Sequence, residues 1–328
     1  MMESCLISSP SARRGGAAVV LSIAACVVSL AACAREATLP PITTAAHQAA
    51  WDKWKASRTA WLATPGKALS FTGLRWIREG ATTIGADTAN GYVLKGRGVP
   101  RVLGTLFREG HNVRFVPAAE GKGALIDSVP ATARRLFTDA DTSKPSRVDV
   151  GSAGFRMVRR VDSVGIRSFD IDKADPKTME PLTYFPLDPA WRVAGVFTPL
   201  SKPDTQAFAT TAGVGEIHIA LGTVTATLAG VKHEFLAMAG SNPLDLYFTF
   251  SDETSGEETY GFRFVHAAID TVTKVVTFDM NYAYNPDCAF SKFTTCPLPP
   301  LQNRVPVRIT AGEKMAKHVA EPVKAASK

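Results

Sequence analysis

From about residue 69 onward, apolar and polar residues alternate with a period of two in short runs separated by turn-forming clusters, which is the pattern of half-buried β-strands. YVLKG, RVLGTLF, NVRFVP, SRVDV, FRMVRRVD and GIRSFDI make a first series. WRVAGVF, TQAFATT, EIHIALG, TVTATLA, HEFLAMAG, LDLYFTF, ETYGFRFV and KVVTFDMNY make a second. Short strands with turn signals roughly every eight to twelve residues predict a mainly β chain, an antiparallel sandwich or barrel-like body, and exclude alternating parallel α/β. The polar, proline-containing run from Asp172 to Pro189 divides this body into two β halves. Upstream the period changes to 3.6. One N-terminal helix is expected from about Thr44 to Ala63, opened by Thr43 or Thr44 and stopped before Pro65-Gly66. It carries Trp51, Trp54 and Trp61 on one face, placed to pack against the β body.

The first residues change the picture from fold to location. Arg13 and Arg14 precede an apolar stretch, Ala17 to Leu30, too short and wrongly flanked for a spanning helix, and LAAC (Leu30 to Cys33) closes it. This order is a secretory signal, and LAAC resembles the lipobox of bacterial lipoproteins, in which the cysteine sulfur receives diacylglycerol. The expected organisation is a lipoprotein signal peptide over 1–32 and a tether over 33–42. The helix and first β half then cover 43–175, the second β half 176–314, and a disordered tail 315–328. Lipidation of Cys33 implies anchorage in the cell envelope. In the lipoprotein resemblance, Ala34 after the cysteine implies the outer membrane, facing the periplasm, where the host has one.

Composition adds exclusions. The chain carries 37 Lys and Arg against 30 Asp and Glu, a formal charge of +7. Losing 1–32 removes Arg13, Arg14 and Glu3 and leaves +6. That excess is dispersed, without a basic block or an aromatic-basic repeat, so no nucleic acid is expected as partner. No G-x-S-x-G elbow, phosphate loop or dinucleotide fingerprint is present. His233-Glu234 begins like a zincin, but Ala237 stands where the second histidine belongs.

Three cysteines follow the signal: Cys33, Cys288 and Cys296. With Cys33 lipidated, the other two make an even pair in an oxidising compartment, so a Cys288–Cys296 disulfide is expected. The surrounding segment, Asn281 to Val307, contains Pro286, Pro297, Pro299 and Pro300, which remove backbone donors. It is read as extended cover clamped across a sheet end rather than as an interior strand.

Candidate chemistry gathers just before this cover. Arg263 leaves one strand run, while Asp279, Asn281 and Tyr284 end the next. With Tyr260, Asn285 and Arg192 they form the candidate ligand pocket, in which Arg263 clamps an anion and Asp279 serves as base or orienter, unless Arg263 and Asp279 simply pair. Asp252, Thr254 and Glu258 alternate around Gly256 as weak candidate ligands for a hard cation. A full calcium loop needs more oxygen ligands, and a polar hairpin turn is the simpler reading. His218, His233 and His266 lie within strand patterns and are read as satisfied, half-buried imidazoles.

The strings FDMNYAYNPDCAFSKFTTCPLPPLQNRVPVRITAGEK (Phe278 to Lys314), YFPLDPAWRVAGVF (Tyr184 to Phe197) and FSDETSGEETYGFRF (Phe250 to Phe264) resemble DUF1684, a bacterial and archaeal family of unknown function. The resemblance extends from the Trp-rich helix through AGEK. It implies no assigned activity, cofactor or residue role. The expected function is therefore an envelope lipoprotein whose β domain binds a small-molecule or polymeric ligand, or acts as a scaffold. The alternative is an envelope hydrolase using Asp279, Glu258 or a histidine near the Arg263, Asn281 and Tyr284 cluster.

Overall fold

The structure, a computed structural model, describes residues 38–141, 144–174 and 180–315. The signal sequence, Cys33 and the residues beyond Met315 lie outside it, so the expectations placed on them lie outside the described residues. Helix α1 runs Thr44–Leu62, and the Thr43 hydroxyl accepts from the Ala46 amide at 3.2 Å to satisfy one of the free N–H groups of the first turn. Its buried residues are His47, Trp51, Arg58 and Leu62, a stripe at spacings of four, seven and four. The buried stripe thus includes two polar side chains.

Eleven strands precede the junction among the described residues: β1 (Phe71–Trp76), β2 (Gly80–Gly85), β3 (Tyr92–Val93), β4 (Gly104–Glu109), β5 (Asn112–Pro117), β6 (Leu125–Ile126), β7 (Val129–Pro130), β8 (Arg134–Leu136), β9 (Arg147–Val150), β10 (Ala153–Arg160) and β11 (Ser163–Asp170). They form one sheet in the order β1-β11-β10-β9-β6-β7 and another in the order β3-β2-β4-β5-β8. Leu106, Phe115, Phe155 and Ile166, all fully buried, belong to the core these sheets share.

Six more strands follow: β12 (Arg192–Ala209), β13 (Gly215–Leu228), β14 (Val231–Ala239), β15 (Asp245–Phe250), β16 (Arg263–Ile269) and β17 (Val275–Asp279). They close into an antiparallel barrel, with β17 returning to pair with β12 from Arg192 opposite Asp279 to Val196 opposite Val275. Alternate residues fill it, including Val224 and Leu228, Phe235, Phe248, Val265 and Phe278. Side chains of this size fill the interior of a narrow barrel. Two pairs of runs expected as separate strands are continuous. WRVAGVF and TQAFATT merge into β12 through a register shift between Pro199 and Asp204, and EIHIALG and TVTATLA merge into β13. A bulge absorbs the extra residues while the ladder continues, so turn-like composition does not end the strand.

Beyond β17 the chain is mostly unladdered, as its prolines require, but the expected extended cover is interrupted by three short 3-10 turns, Met280–Tyr282, Asp287–Ala289 and Leu301–Asn303. Val305, Val307, Ile309 and Ala311 alternate into the barrel core. Asn303 enters where β14 and β15 pair only through Met238 with Tyr247 and Ala239 with Leu246. Its amide accepts from Leu236 N at 2.7 Å and donates to Leu236 O at 3.1 Å and Thr249 O at 3.0 Å. One buried side chain thereby replaces the missing rungs of the seam.

Candidate functional site

The residues singled out from sequence separate into structural clusters. Arg263, wholly buried, pairs with Asp252 at 3.2 Å, not with Asp279. It also donates to the carbonyls of Ala311 and Ile309, while Asp252 accepts from Ile309 N at 2.7 Å. A buried ion pair thus ties the segment after β17, the strap, to the barrel. Asp252 takes the Thr254 hydroxyl as well, and Thr254 meets Thr259 at 2.9 Å around Gly256, whose φ is +84°. The oxygens proposed for a cation are engaged by protein donors, and Glu258 stands apart against Arg308 at the surface.

Asp279 and Asn281 do meet, but through a cap rather than strand alternation. The strand ends at Asp279, whose Oδ1 accepts from the Asn281 amide at 3.1 Å and from its side chain at 2.9 Å. The other oxygen holds His47 of α1 at 2.8 Å, and Trp51 donates to Asn281 O at 3.1 Å. Asn281 also exchanges hydrogen bonds with the Asp188 backbone. Two turns beyond Trp51 along α1, Arg58 donates to Glu313 at 2.8 Å and to Asn285 O at 2.7 Å, and Glu313 accepts from Asn285 N at 2.8 Å. These groups dock the helix and lie in the interior, all but the Asn285 side-chain oxygen engaged by protein partners. Arg192 stands opposite Asp279 in the ladder, and Tyr260 is buried beside Cys288.

Cys288 and Cys296 are neighbours but free thiols, which corrects the expected disulfide. The Cys288 amide donates to Cys296 Sγ at 3.2 Å, and Cys296 N donates to Thr211 Oγ1 at 3.2 Å. Hydrogen bonds and stiff prolines hold the loop without a covalent bridge. Burial, then the Cys288 side chain, pushes the Cys296 thiol well up, away from the thiolate that nucleophilic chemistry needs.

Sequence reasoning missed a cavity of about 630 Å³. Trp54, Arg58 and Trp61 of α1 form one side, and Arg160 of β10 and Arg167 of β11 another. Glu216 and His218 of β13, Tyr247 of β15 and His266 of β16 face them, with Tyr284, Asp287, Thr295 and Cys296 from the segment after β17. Of the predicted pocket residues only Tyr284 lines it, together with two of the three strand histidines. The signal was present in EIHI, where alternation suggests isoleucines inward. Ile217 and Ile219 instead point out, 51% and 47% exposed, and Glu216 and His218 point in. An inverted polarity on a strand marks a wall that faces something other than core.

Arg160 and Arg167 converge on one hydroxyl. Thr295 Oγ1 accepts from Arg160 Nε at 2.8 Å and from Arg167 Nη2 at 3.0 Å. Arg160 is further matched by Asp139 at 2.9 Å and Glu216 at 3.2 Å. Besides Thr295, Arg167 donates to the Phe293 carbonyl at 3.0 Å, and it forms no ion pair among the described residues. Burial and then Arg160 weaken its hold on the proton, while Asp139 and Asp287 pull the other way without touching it.

The other titratable groups are tuned by burial. Desolvation raises the Glu216 carboxyl against the pull of Arg160, and raises Asp287 against Arg58, Arg167 and Lys67. It lowers His218, with Arg160 adding to the effect, and raises the phenols of Tyr247 and Tyr284. His218 Nε2 is buried without a hydrogen-bond partner. The expectation of a satisfied imidazole holds at His233, bound to Gln302 O at 2.8 Å, and at His266, bound to Asp245 at 2.9 Å, but not at His218.

The fold and site define a mainly β protein with one α-helix among the described residues, a packed barrel and a separate cavity outside the barrel lined by aromatic and charged side chains. Residues 177–314 match the family described as Protein of unknown function (DUF1684). That match spans the barrel and strap and does not reach back to the helix. The chain is also similar to an uncharacterised protein of Haloarcula marismortui solved by solution NMR, at 29% identity over 43% of this chain and 80% of the other, with a TM-score of 0.37. No curated protein matches.

Proposed function

We propose that this protein binds a small organic anion in the cavity beside the barrel. The carrying observation is Arg167, a guanidinium lining a cavity of about 630 Å³ with no carboxylate paired to it. Such a buried charge is costly alone and is relieved by an anion arriving with a ligand. Arg160 and Thr295 supply further polar contacts, while Trp54, Trp61 and Tyr247 offer apolar faces for the ligand body. The volume suits a small molecule rather than a polymer.

Thermal-shift titration with short-chain and aromatic carboxylates and phosphate esters tests the reading. A member of the panel should stabilise the protein, and Arg167→Met should abolish that stabilisation while leaving the unliganded melting temperature within a few degrees. No stabilisation by any member, or equal stabilisation of the variant, sinks it.

The same proposal places the protein in the envelope through lipidated Cys33, facing the periplasm where an outer membrane exists. The basic start, apolar run and LAAC support this placement. Cys33→Ala should move the protein from the membrane fraction to the soluble fraction. Unchanged fractionation with unchanged mass counts against lipid anchorage.

A further inference from the structure

We infer that the cavity hydrolyses a short-chain ester bearing a free carboxylate, with His218 as general base toward water and Tyr284, linked to solvent through His266 and Asp245, as general acid toward the leaving oxygen. The inference rests on the anion-binding reading, since Arg167 and Arg160 are what hold the substrate carboxylate.

The base lies beside the anion position. Arg160, which shares Thr295 with Arg167, contacts Glu216 at 3.2 Å, and Glu216 in turn stands 3.9 Å from His218 Nε2. That nitrogen is buried and bonded to nothing in the protein, and it belongs to a side chain lining the cavity. Burial keeps this imidazole neutral and therefore able to accept a proton.

The acid lies along the same wall. His218 stacks on Tyr247 with centroids 6.2 Å apart, Tyr247 meets His266 at 5.2 Å, and His266 stacks on Tyr284 at 6.0 Å with planes 4° apart. An ester anchored at the arginine pair extends along this row of rings. The Tyr284 hydroxyl is 3.0 Å from His266 Nε2, and His266 Nδ1 donates to Asp245 at 2.9 and 3.0 Å. Ser241 fixes the carboxylate through its amide at 2.8 Å and its hydroxyl at 3.0 Å. A Cβ on Gly240 would lie 2.3 Å from Asp245 Oδ2, so this approach requires glycine. The His266 side chain is 41% exposed and exchanges protons with water. When protonated it donates Nε2–H to the phenol oxygen and turns the phenol proton toward the cavity.

The step balances without a co-reactant other than water. Water gives a proton to His218 as its oxygen bonds to the acyl carbon. The acyl C–O bond then breaks, and the departing alkoxide takes the Tyr284 proton while His266 returns one to Tyr284. Solvent removes the proton from His218 and restores that of His266, leaving one carboxylic acid and one alcohol.

Monoethyl succinate, which has a poor leaving group, and para-nitrophenyl hydrogen succinate, which has a good one, separate the roles, with thermal shift by succinate as the binding readout. The wild-type protein should turn over both esters above the protein-free rate. Tyr284→Phe should lower kcat on the ethyl ester by about 100-fold and on the nitrophenyl ester by less than about tenfold, and His266→Asn should show the same asymmetry. His218→Gln should lower both by about 100-fold, and all three variants should keep the succinate shift. A succinate shift without turnover overturns hydrolysis and leaves anion binding standing. Equal losses on the two esters overturn the acid assignment, because a merely structural tyrosine has no reason to distinguish leaving groups. Absence of the succinate shift removes the foundation of this inference together with the activity.

Discussion

At the scale of single residues, the consequential ones are polar groups in places that strand or helix periodicity assigns to apolar side chains. Arg58 sits on the buried stripe of α1, paired with Glu313, which is wholly buried and whose carboxyl is pushed up by burial despite that pairing. Arg58→Met leaves the carboxylate without its partner, and such losses cost about 3–5 kcal/mol. Urea unfolding should register this, and a cost below about 1 kcal/mol would show the pair to be dispensable. Asp287 gives a pH-dependent counterpart. Burial raises its folded pKa above the unfolded value, so the associated stability is present below the unfolded carboxylate range and is lost as pH rises through the folded value. Asp287→Asn should therefore raise the urea midpoint at pH 7 and lose that advantage at about pH 3. A lowered midpoint at neutral pH contradicts the cause assigned here. Arg263, Asp279 and Asn281 were legible as important from their types and positions, but their partners were not. Asp252 lies 11 residues before Arg263 and His47 lies 232 before Asp279, and only the fold brings each pair together.

At the scale of elements, the helix and most strands follow directly from period and turn chemistry, because local backbone preference and burial agree there. Disagreement arises where one element compensates for another. β14 and β15 separate after two rungs, and Asn303 from a distant loop repairs the gap. Asn303→Leu leaves Leu236 N–H, Leu236 C=O and Thr249 C=O without this partner, at about 1–3 kcal/mol for each group that stays unsatisfied. Amide exchange at Leu236 should accelerate and the stability should fall by roughly 3 kcal/mol or more. Unchanged exchange there would show that the strands close the seam themselves. The cysteine loop makes the same point from the other side. Even cysteine count and spacing encouraged a bridge, whereas the folded loop is held by Thr211, the Cys288 amide and proline stiffness. Both thiols should resist a water-soluble disulfide reagent at pH 7 and react after unfolding. Rapid labelling of Cys296 in the native protein would restore it as a chemical candidate.

At the scale of the whole molecule, the cavity draws on α1, on β10 and β11, on three barrel strands and on the segment after β17. No contiguous stretch of sequence carries it, which is why motif reading found the dense Cys- and Pro-rich run and overlooked Arg160, Arg167, Glu216 and His218. The barrel lumen is occupied by phenylalanines, and this cavity lies instead where the barrel meets the other elements. Binding there crosslinks those elements, and a ligand at about 100 times its Kd should add about 2.7 kcal/mol to global stability. Stabilisation should reach residues of both β11 and β13 in an exchange experiment. Protection confined to one of them would mean that the ligand rests on a single wall.

The plug formed by Val305, Val307, Ile309 and Ala311 follows all six barrel strands in the chain. A ribosome that has finished β17 has therefore released a cylinder that still lacks part of its filling, as well as the Ile309 and Ala311 carbonyls that receive Arg263. Such a nascent chain has little incentive to close early and stays pliable until these residues emerge. Stopping translation just before Asn303 should accordingly yield a protease-sensitive species, although every barrel strand has already been made.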